Sequence, residues 1–467
     1  MAVYKLVHFS SLSHTKRMDA EYYSPRFEPV LRKLGLLNTV KLKHILVEPV
    51  KTGHTPSMKN SSYYKPKAVK FIKTDNLRED IINTHDIQYL SEIGNSKISR
   101  SELRIDDVIL TIIGATEDII GRAARVFSNL GRANINQNIA LIRSRLPAGY
   151  LVTFLNSYYG REQLIRLSRQ TGQVNLNCRE VEELSVPLFT DKFIFTVHNL
   201  NNQRHNLILQ SEQMYAKAEQ LLLSELGLHD WKPRHTLTYV RSFNQVAKAS
   251  RMDAEHFHPK YKEMFDRLPS NVYLQLLGKI TLYTKGIEVG SSAYTESGIP
   301  FLRVSNLSKH GIVDDTVNFI SNELYNVLRE KYEPQQGEIL LSKDATPGIA
   351  YFLDESVQGI IASGILRLSL IEDIPPYYLE LVLNSIFVQL QIEQSVGGSI
   401  IKHWKPSQVQ KTWIPRLLAD REKEISALVQ QSHAARREAK TLLEKAKRAV
   451  EIAIEYGEQQ AMDFLCK

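Results

Sequence analysis

"RMDAEYYSPRF" at residues 17–27 returns as "RMDAEHFHPKY" at residues 251–261, 234 positions later (251 minus 17). An acidic pair such as Asp19 and Glu21, repeated at Asp253 and Glu255, has two readings: two catalytic centres, or one scaffold built twice. The rest of the chain decides between them. "VKFIKTDNL" (69–77) answers to "IPFLRVSNL" (299–307), with Phe71 on Phe301 and Asn76 on Asn306. "DVILTIIGAT" (107–116) answers to "GEILLSKDAT" (337–346), "YLVTFLNS" (150–157) to "YLELVLNS" (378–385), and "LSVPL" (184–188) to "TWIPR" (412–416). The offset drifts from 234 to 228 (378 minus 150) without a change of order, as two copies of one domain with shorter loops in the second would give. No positioned His, Cys or other nucleophile accompanies Asp19 and Glu21, so the repeated words read as scaffold. Ser24-Pro25 and His258-Pro259 then start helices, with buried faces at Phe27, Leu31 and Leu34 and at Tyr261, Phe265 and Leu268.

Each copy runs into a charged stretch with helical periodicity. Between 419 and 457, Ile425, Leu428, Ser432, Ala435, Ala439, Leu442, Ala446, Ala449, Ala453 and Tyr456 follow steps of three and four, a coiled-coil seam. After the first copy, Leu200, Leu207, Met214 and Leu221 recur every seven, with Ala218 and Leu222 beside them. Two such helices at matching places are expected to pair antiparallel as a rod of roughly 55 Å at 1.5 Å per residue. Within each copy, "VKFIKT", "DVILTII" and "IALIR", and then "IPFLRV", "EILLS" and "ILRLSL", read as strands. "YLVTFLNSYYGREQLIRLS" and "YYLELVLNSIFVQLQIEQS" read as helices, followed by the Gly-containing loops "TGQVNLN" and "VGGSIIKHW". The expected fold is α+β: two tandem-duplicated domains of mixed structure, joined and separated by two long antiparallel coiled-coil helices. The boundaries fall at 1–190, a helix at 191–228, 229–418, a helix at 419–457, and a tail at 458–467.

The composition narrows the function classes. Lys plus Arg exceed Asp plus Glu by 59 to 51, a balance of +8 that favours polyanion partners. Two cysteines, Cys178 and Cys466, exclude a disulfide framework or a thiolate-rich zinc site, and no metal ligands are assigned. The first residues lack a secretory signal, and no window approaches the roughly 18 apolar residues of a membrane helix. A soluble, cytoplasmic protein without membrane association is expected.

The segment from Lys51 to Lys73 holds six lysines and no acidic residue, interleaved with tyrosines, hydroxyls and amides. Lys51, Lys59, Lys65 and Lys67 suit phosphates, while His54, Asn60 and Tyr63 suit base edges. Asn134, Asn136, Gln137 and Asn138 in "GRANINQN" offer amides suited to adenine. In the second copy, Lys285, Tyr294 and Arg303 lie in "YTKGIEVGSSAYTESGIPFLR", Lys343 follows a strand, and Lys402, His403 and Trp404 share a loop. The loop at 285 keeps Lys285-Gly286 opposite Thr52-Gly53 and differs almost everywhere else, as two readers of different sequences would. No catalytic residue is assigned. Pro375-Pro376-Tyr377 is superficially like the motif of amino-methylating DNA methyltransferases, but Ile374 stands where a polar residue must hold the amine. Neither a methyl-donor glycine loop nor a GxxxxGK[ST] phosphate loop occurs.

The order reader, long helix, reader, long helix, with "SRMDAEHFHPKY" openings and "SVPL" or "WIPRL" exits, resembles the specificity subunit of Type I restriction-modification systems. The resemblance covers essentially the whole chain. It implies two target recognition domains, each reading half of a bipartite site in double-stranded DNA, with the helices acting as a ruler. It also implies docking of two methyltransferase (modification) subunits and recruitment of an ATP-dependent restriction subunit. S-adenosylmethionine, ATP and Mg would belong to those partners, with no cofactor in this chain. The competing readings are a duplicated protein-interaction scaffold and a self-sufficient methyltransferase.

Overall fold

In the computed structural model, which describes residues 17–85, 87–171, 173–234, 236–313, 317–396 and 402–466, the arginine of each repeated opening closes the end of a helix. The Arg17 guanidinium is buried, forked by Asp19, and donates to the carbonyls of Leu167 and, at 2.7 Å, Ser168. Arg251 is forked by Asp253 at 2.8 and 2.6 Å and donates to Ser395 at 2.7 Å. Terminal helix carbonyls lack intrahelical donors, and a guanidinium supplies several at once. The Arg17 hydrogen bond holds the Asp19 carboxyl below the usual range against its partial burial. Asp19 is therefore an orienting counter-ion for an arginine clasp.

The chain divides into two compact units, residues Met1–Asn206 with Glu438–Lys467, and Leu207–Arg437. In the first, strands Lys51–Thr52, Ile139–Ile142, Val108–Thr111 and Ala123–Arg125 lie side by side in that order, all antiparallel. In the second, Thr281–Lys285, Ile365–Leu370, Ile339–Ser342 and Ala350–Phe352 do the same. A second sheet in each unit carries one parallel pair, Phe71 opposite Asn134 and Phe301 opposite Ile360. The expected strand runs are thus strands, and Val108–Thr111, Ile139–Ile142 and Ile339–Ser342 are buried at every position, on both faces, as their unbroken apolar runs require.

The other repeated words are hydrogen-bonding hubs. Asn156 receives the N–H of Ala123 at 3.1 Å and donates to its carbonyl at 2.9 Å. Asn384 treats Ala350 alike, at 3.1 and 2.8 Å. The Tyr150 hydroxyl donates to Pro187 at 2.7 Å, and that of Tyr378 to Pro415 at 2.8 Å. Gln163 exchanges two bonds with Ser185, and Gln391 two with Trp413. Asn76 and Asn306 receive the N–H of Lys73 and Arg303 at 2.9 and 3.1 Å. A buried backbone group stripped of its partner carries its full desolvation cost. Asn156→Ala and Asn384→Ala are each expected to cost about 2 kcal/mol in urea denaturation; unchanged midpoints would deny the hub role.

Several expectations need correction. Each stretch read as one helix is two, Ala148–Asn156 with Tyr158–Leu167 and Pro376–Asn384 with Ile386–Val396. Ser157 and Ser385 adopt ψ near 160 between them, and Ser157 accepts from Gly160 as the new helix cap. "TGQVNLN" reads as a loop in sequence, but strands Arg169–Thr171 and Gln173–Asn175 pair antiparallel there. In "VGGSIIKHW", residues 397–401 lie outside the described residues, as do the first 16 residues. Leu31 is exposed while Val30 takes the buried place. The segment expected as a tail contains helix Glu458–Cys466, with Ala461 buried.

The long helices are Asp191–Glu225 and Ala419–Tyr456. In the second, Ile425, Ser432, Ala435, Ala439, Ala446, Ala449 and Ala453 are buried, while Leu428 and Leu442 are half-buried and Tyr456 is exposed. In the first, the every-seven ladder Leu200, Leu207, Met214, Leu221 is only half-buried. The buried stripe is instead Phe193, Val197, Asn201, Arg204, Ser211, Tyr215, Ala218 and Leu222, which includes three polar residues that a hydrophobic count passes over. Within the second unit, Ser211 meets Ser432 at 2.8 Å, and Glu225 meets Arg421 at 3.2 Å, so these segments run in opposite directions. There His433 Nε2 also lies 3.1 Å from Glu380 Oε1, with the imidazole stacked on Tyr351. Within the first unit, Phe193, Ile194 and Val197 share one core with Ala449, Val450 and Ala453. No helix among the described residues is long and apolar enough to cross a membrane.

Candidate nucleic-acid interface

In the first unit the lysine-rich segment begins as an edge strand. Thr52 pairs with Ala140, and the chain then passes so close to the parallel strand that a Cβ on Gly53 would stand 1.8 Å from the Ile135 carbonyl oxygen. Only glycine allows that approach. The loop beyond is stitched by the Tyr64 hydroxyl to the Pro56 carbonyl at 2.7 Å and by Thr55 to Gln137. The Asn60 side chain accepts from the Ser62 N–H and hydroxyl at 3.1 and 2.7 Å, capping the turn Ser61–Tyr63.

Strand Tyr64–Ile72 then breaks register between Tyr64 and Val69. The residues between them bulge from the ladder, leaving Lys65 and Lys67 exposed, with Lys67 at φ +60. A non-glycine residue in the left-handed region is strained, and such strain gathers at functional sites. Lys59, Lys65 and Lys67 form no ion pair among the described residues. Lys51 is neutralised by Glu48 at 2.8 Å. The bulge and turn therefore present three unneutralised ammonium groups beside His54, which is exposed, and Tyr63, which is half-buried.

The amide cluster divides by burial. Asn134 is fully buried: its amide donates to Asn95 at 2.8 Å and to Ile98 at 3.0 Å, and its oxygen accepts from Ser101 at 2.7 Å. This corrects its expected place among base contacts, because strand pairing turns it inward. Asn136 is also buried and receives the Asn138 N–H at 3.1 Å. Gln137 is exposed and Asn138 half-buried, so these two remain at the surface next to the lysine loop.

The second unit gathers Lys285, Lys343, Lys402 and His403 at one end of its four-stranded antiparallel sheet. The Gly286 and Lys343 N–H groups donate to the adjacent carbonyls of Ile365 and Gly364, and Ala345 donates to Lys402 at 3.1 Å. A Cβ on Gly286 would stand 2.1 Å from the Ala362 carbonyl oxygen, the same kind of approach as at Gly53. Lys285 and Lys402 are exposed. Lys343 and His403 both bind Asp344, His403 Nδ1 at 2.8 Å from Oδ1. Burial works against the Asp344 charge, but these hydrogen bonds outweigh it and hold the carboxyl below its usual range. Trp404 is buried, its backbone N–H donating to the Lys343 carbonyl at 2.8 Å, so it packs rather than presenting a stacking face. Tyr294 lies in the other four-stranded sheet, Arg303 directly follows its strand Ile299–Leu302, and both are half-buried.

Residue-by-residue reading missed Asp344, which organises the cationic cluster, and a cleft of about 440 Å³ in the first unit. Lys51, Arg100, Arg104 and Arg143 line the cleft together with Glu48 and Glu102. Arg100 and Arg104 are exposed, and these two arginines four apart are a sequence signal for this cationic edge. Among the described residues no group of three or more His, Cys, Asp or Glu side chains is placed to hold a metal ion.

No protein-family model matches the chain. Among solved structures, the Type I restriction-modification S subunit from M. genitalium is 12% identical, with 90% of this chain and 95% of that chain covered and a TM-score of 0.41. The HsdS subunit from Thermoanaerobacter tengcongensis is 15% identical, with 90% and 97% covered and a TM-score of 0.30. In sequence, 160 residues are 22% identical to the Type I restriction enzyme EcoBI specificity subunit of Escherichia coli. That match spans 33% of this chain and 30% of the length of that relative, so over a third of its residues the chain is similar to a Type I specificity subunit.

Proposed function

We propose that this chain is a non-catalytic DNA sequence-reading subunit of a Type I restriction-modification complex. Its two halves, 1–190 and 229–418, are copies of one target recognition domain, and each reads one half of a bipartite site. The helices 191–228 and 419–457 pair as an antiparallel coiled coil that sets the gap. The complex would contain two methyltransferase subunits and an ATP-dependent restriction subunit, with S-adenosylmethionine, ATP and Mg held by those partners in the cytoplasm.

One observation carries the reading. The arginine clasp, the asparagine hub, the tyrosine-to-proline bond and the glutamine bridge recur in both units, at the places where the sequence repeats. The loops beyond Gly53 and Gly286 keep the close backbone approach and change their side chains. A preserved frame with altered loops suits two readers of different base sequences, and free lysines suit phosphates, which position a protein while base contacts specify. Methylome mapping of cells carrying the complete system tests this. A motif of two short half-sites separated by a fixed run of unspecified bases is expected, and an uninterrupted motif would overturn the reading.

A further inference from the structure

Each unit ties its strand at the asparagine hub to a long helix through one buried carboxylate, and the two ties differ in their cation. In the first unit the Arg125 N–H donates to Asp80 Oδ1 at 3.5 Å, and Arg204 Nη1 lies 2.9 Å from Oδ2. In the second, the Phe352 N–H donates to Glu380 Oε2 at 3.0 Å, and His433 Nε2 lies 3.1 Å from Oε1. All four of these ionisable side chains are buried. Arg125 and Phe352 each stand two residues past the alanine that the hub holds, Ala123 and Ala350. Arg204 lies 13 residues beyond the start of its helix (204 minus 191) and His433 14 beyond the start of its own (433 minus 419). The ties therefore occupy matching places, although Asp80 comes from a turn and Glu380 from helix Pro376–Asn384.

A guanidinium keeps its charge at any ordinary pH, whereas an imidazole gives its charge up near neutrality. Asp80 thus keeps a counter-ion whenever it ionises, and Glu380 does not. With one proton between them, Glu380 and His433 are neutral as a pair. Loss of that proton leaves a buried carboxylate beside an uncharged ring, the costly state. Burial pushes the Glu380 carboxyl up, against the pull of His433, so its stabilising contribution is complete in acid and is lost as pH rises through the folded value. The groups around the pair do not replace the missing charge. Tyr351 stacks on the His433 ring with centroids 5.1 Å apart, Tyr377 meets it edge-on at 5.5 Å, and Tyr215 of the first long helix faces Glu380. Burial pushes all three phenols up, Tyr351 to about 12, so they stay protonated. Arg437 is matched by Asp354 at 2.6 Å and Glu355 at 3.2 Å, and Arg436 lies 3.9 Å from Glu212.

We propose that Glu380 and His433 form a proton-operated latch in the second unit: the long helix is held to strand Ala350–Phe352 while the pair keeps its proton and works loose as pH rises, whereas Asp80–Arg204 stays shut. The latch depends on contacts within one unit, not on the DNA-reading role proposed above. The test is hydrogen–deuterium exchange of the full chain between about pH 6 and about pH 9, with each rate divided by the intrinsic rate at that pH. Peptides covering Ala350–Phe352 and Pro376–Asn384 are expected to exchange at least about tenfold faster at the upper pH, the effect of one unit of linkage, while those covering Ala123–Arg125 and Ala148–Asn156 stay within about twofold. Glu380→Gln keeps an acceptor for the Phe352 N–H and cannot ionise, so it should flatten the profile. His433→Arg, which installs the cation of the first unit, should flatten it as well. A flat wild-type profile, or one in which both units quicken together, overturns the latch. So does a Glu380→Gln chain that keeps the wild-type pH dependence. The contrast between the two units within the wild-type chain decides the matter even where a variant fails to fold.

Discussion

Reversing Lys59, Lys65 and Lys67 together to Glu is expected to lower affinity for duplex DNA on the order of a hundredfold at low salt, alike for cognate and unrelated sequences. The three ammonium groups are exposed on a turn and a bulge and have no carboxylate partner among the described residues. Each phosphate contact contributes about 0.9 to the slope of log affinity against log salt, so the slope should fall by roughly 2.7. The readout is fluorescence anisotropy across a salt series. Reversal at Lys51 should do less, since Glu48 already neutralises it. A triple variant with an unchanged slope would remove this loop from the interface.

Replacing Arg204 by Ala is expected to destabilise the first unit by about 3–5 kcal/mol, the penalty for leaving a buried charge without its partner. Asp80 is buried and Arg204 Nη1 lies 2.9 Å from its Oδ2, with the Asn201 amide at 2.6 Å from the same oxygen. Burial pushes the Asp80 carboxyl above its ordinary value, and Arg204 pulls the other way. The sign follows from linkage. When the folded state holds the proton more tightly than the unfolded state, stability is greatest below the ordinary aspartate pKa of about 3.9 and falls as pH rises through the window up to the folded value. Without Arg204 that window widens, so urea midpoints of Arg204→Ala should approach wild type in acid and diverge as pH rises. Adding Asp80→Asn should recover much of the loss. A difference independent of pH would show that Arg204 acts through packing alone.

Much of the fold could be read from the chain because its repeated words are the residues that hold it together. Arg17, Asn156, Tyr150 and Pro187 recur with their partners because a buried hydrogen bond needs both ends. Runs rich in Val, Ile and Leu marked the strands for the same reason that they bury. What escaped was polar burial. Asn201, Arg204 and Ser211 occupy the buried stripe of the first long helix because Asp80 and Ser432 satisfy them, and periodicity counted over apolar residues slid onto the neighbouring leucines. Asn134 and Trp404 have the chemistry of base contacts, and only the folded register turns them inward. The lysines of the bulge were legible as charge, but their protrusion depends on the register shift after Tyr64. Asp344, unremarkable in "LLSKDAT", gathers Lys343 and His403 only once the two loops meet.

The proposed function requires one chain to hold two DNA readers at a fixed separation. It is tested most directly by measuring the affinity of the complex for duplexes carrying both half-sites with gaps lengthened or shortened one base pair at a time. The account predicts a sharp optimum at the native gap, with affinity falling toward that of a single half-site within one or two base pairs on either side. Affinity that stays level across the series would contradict it.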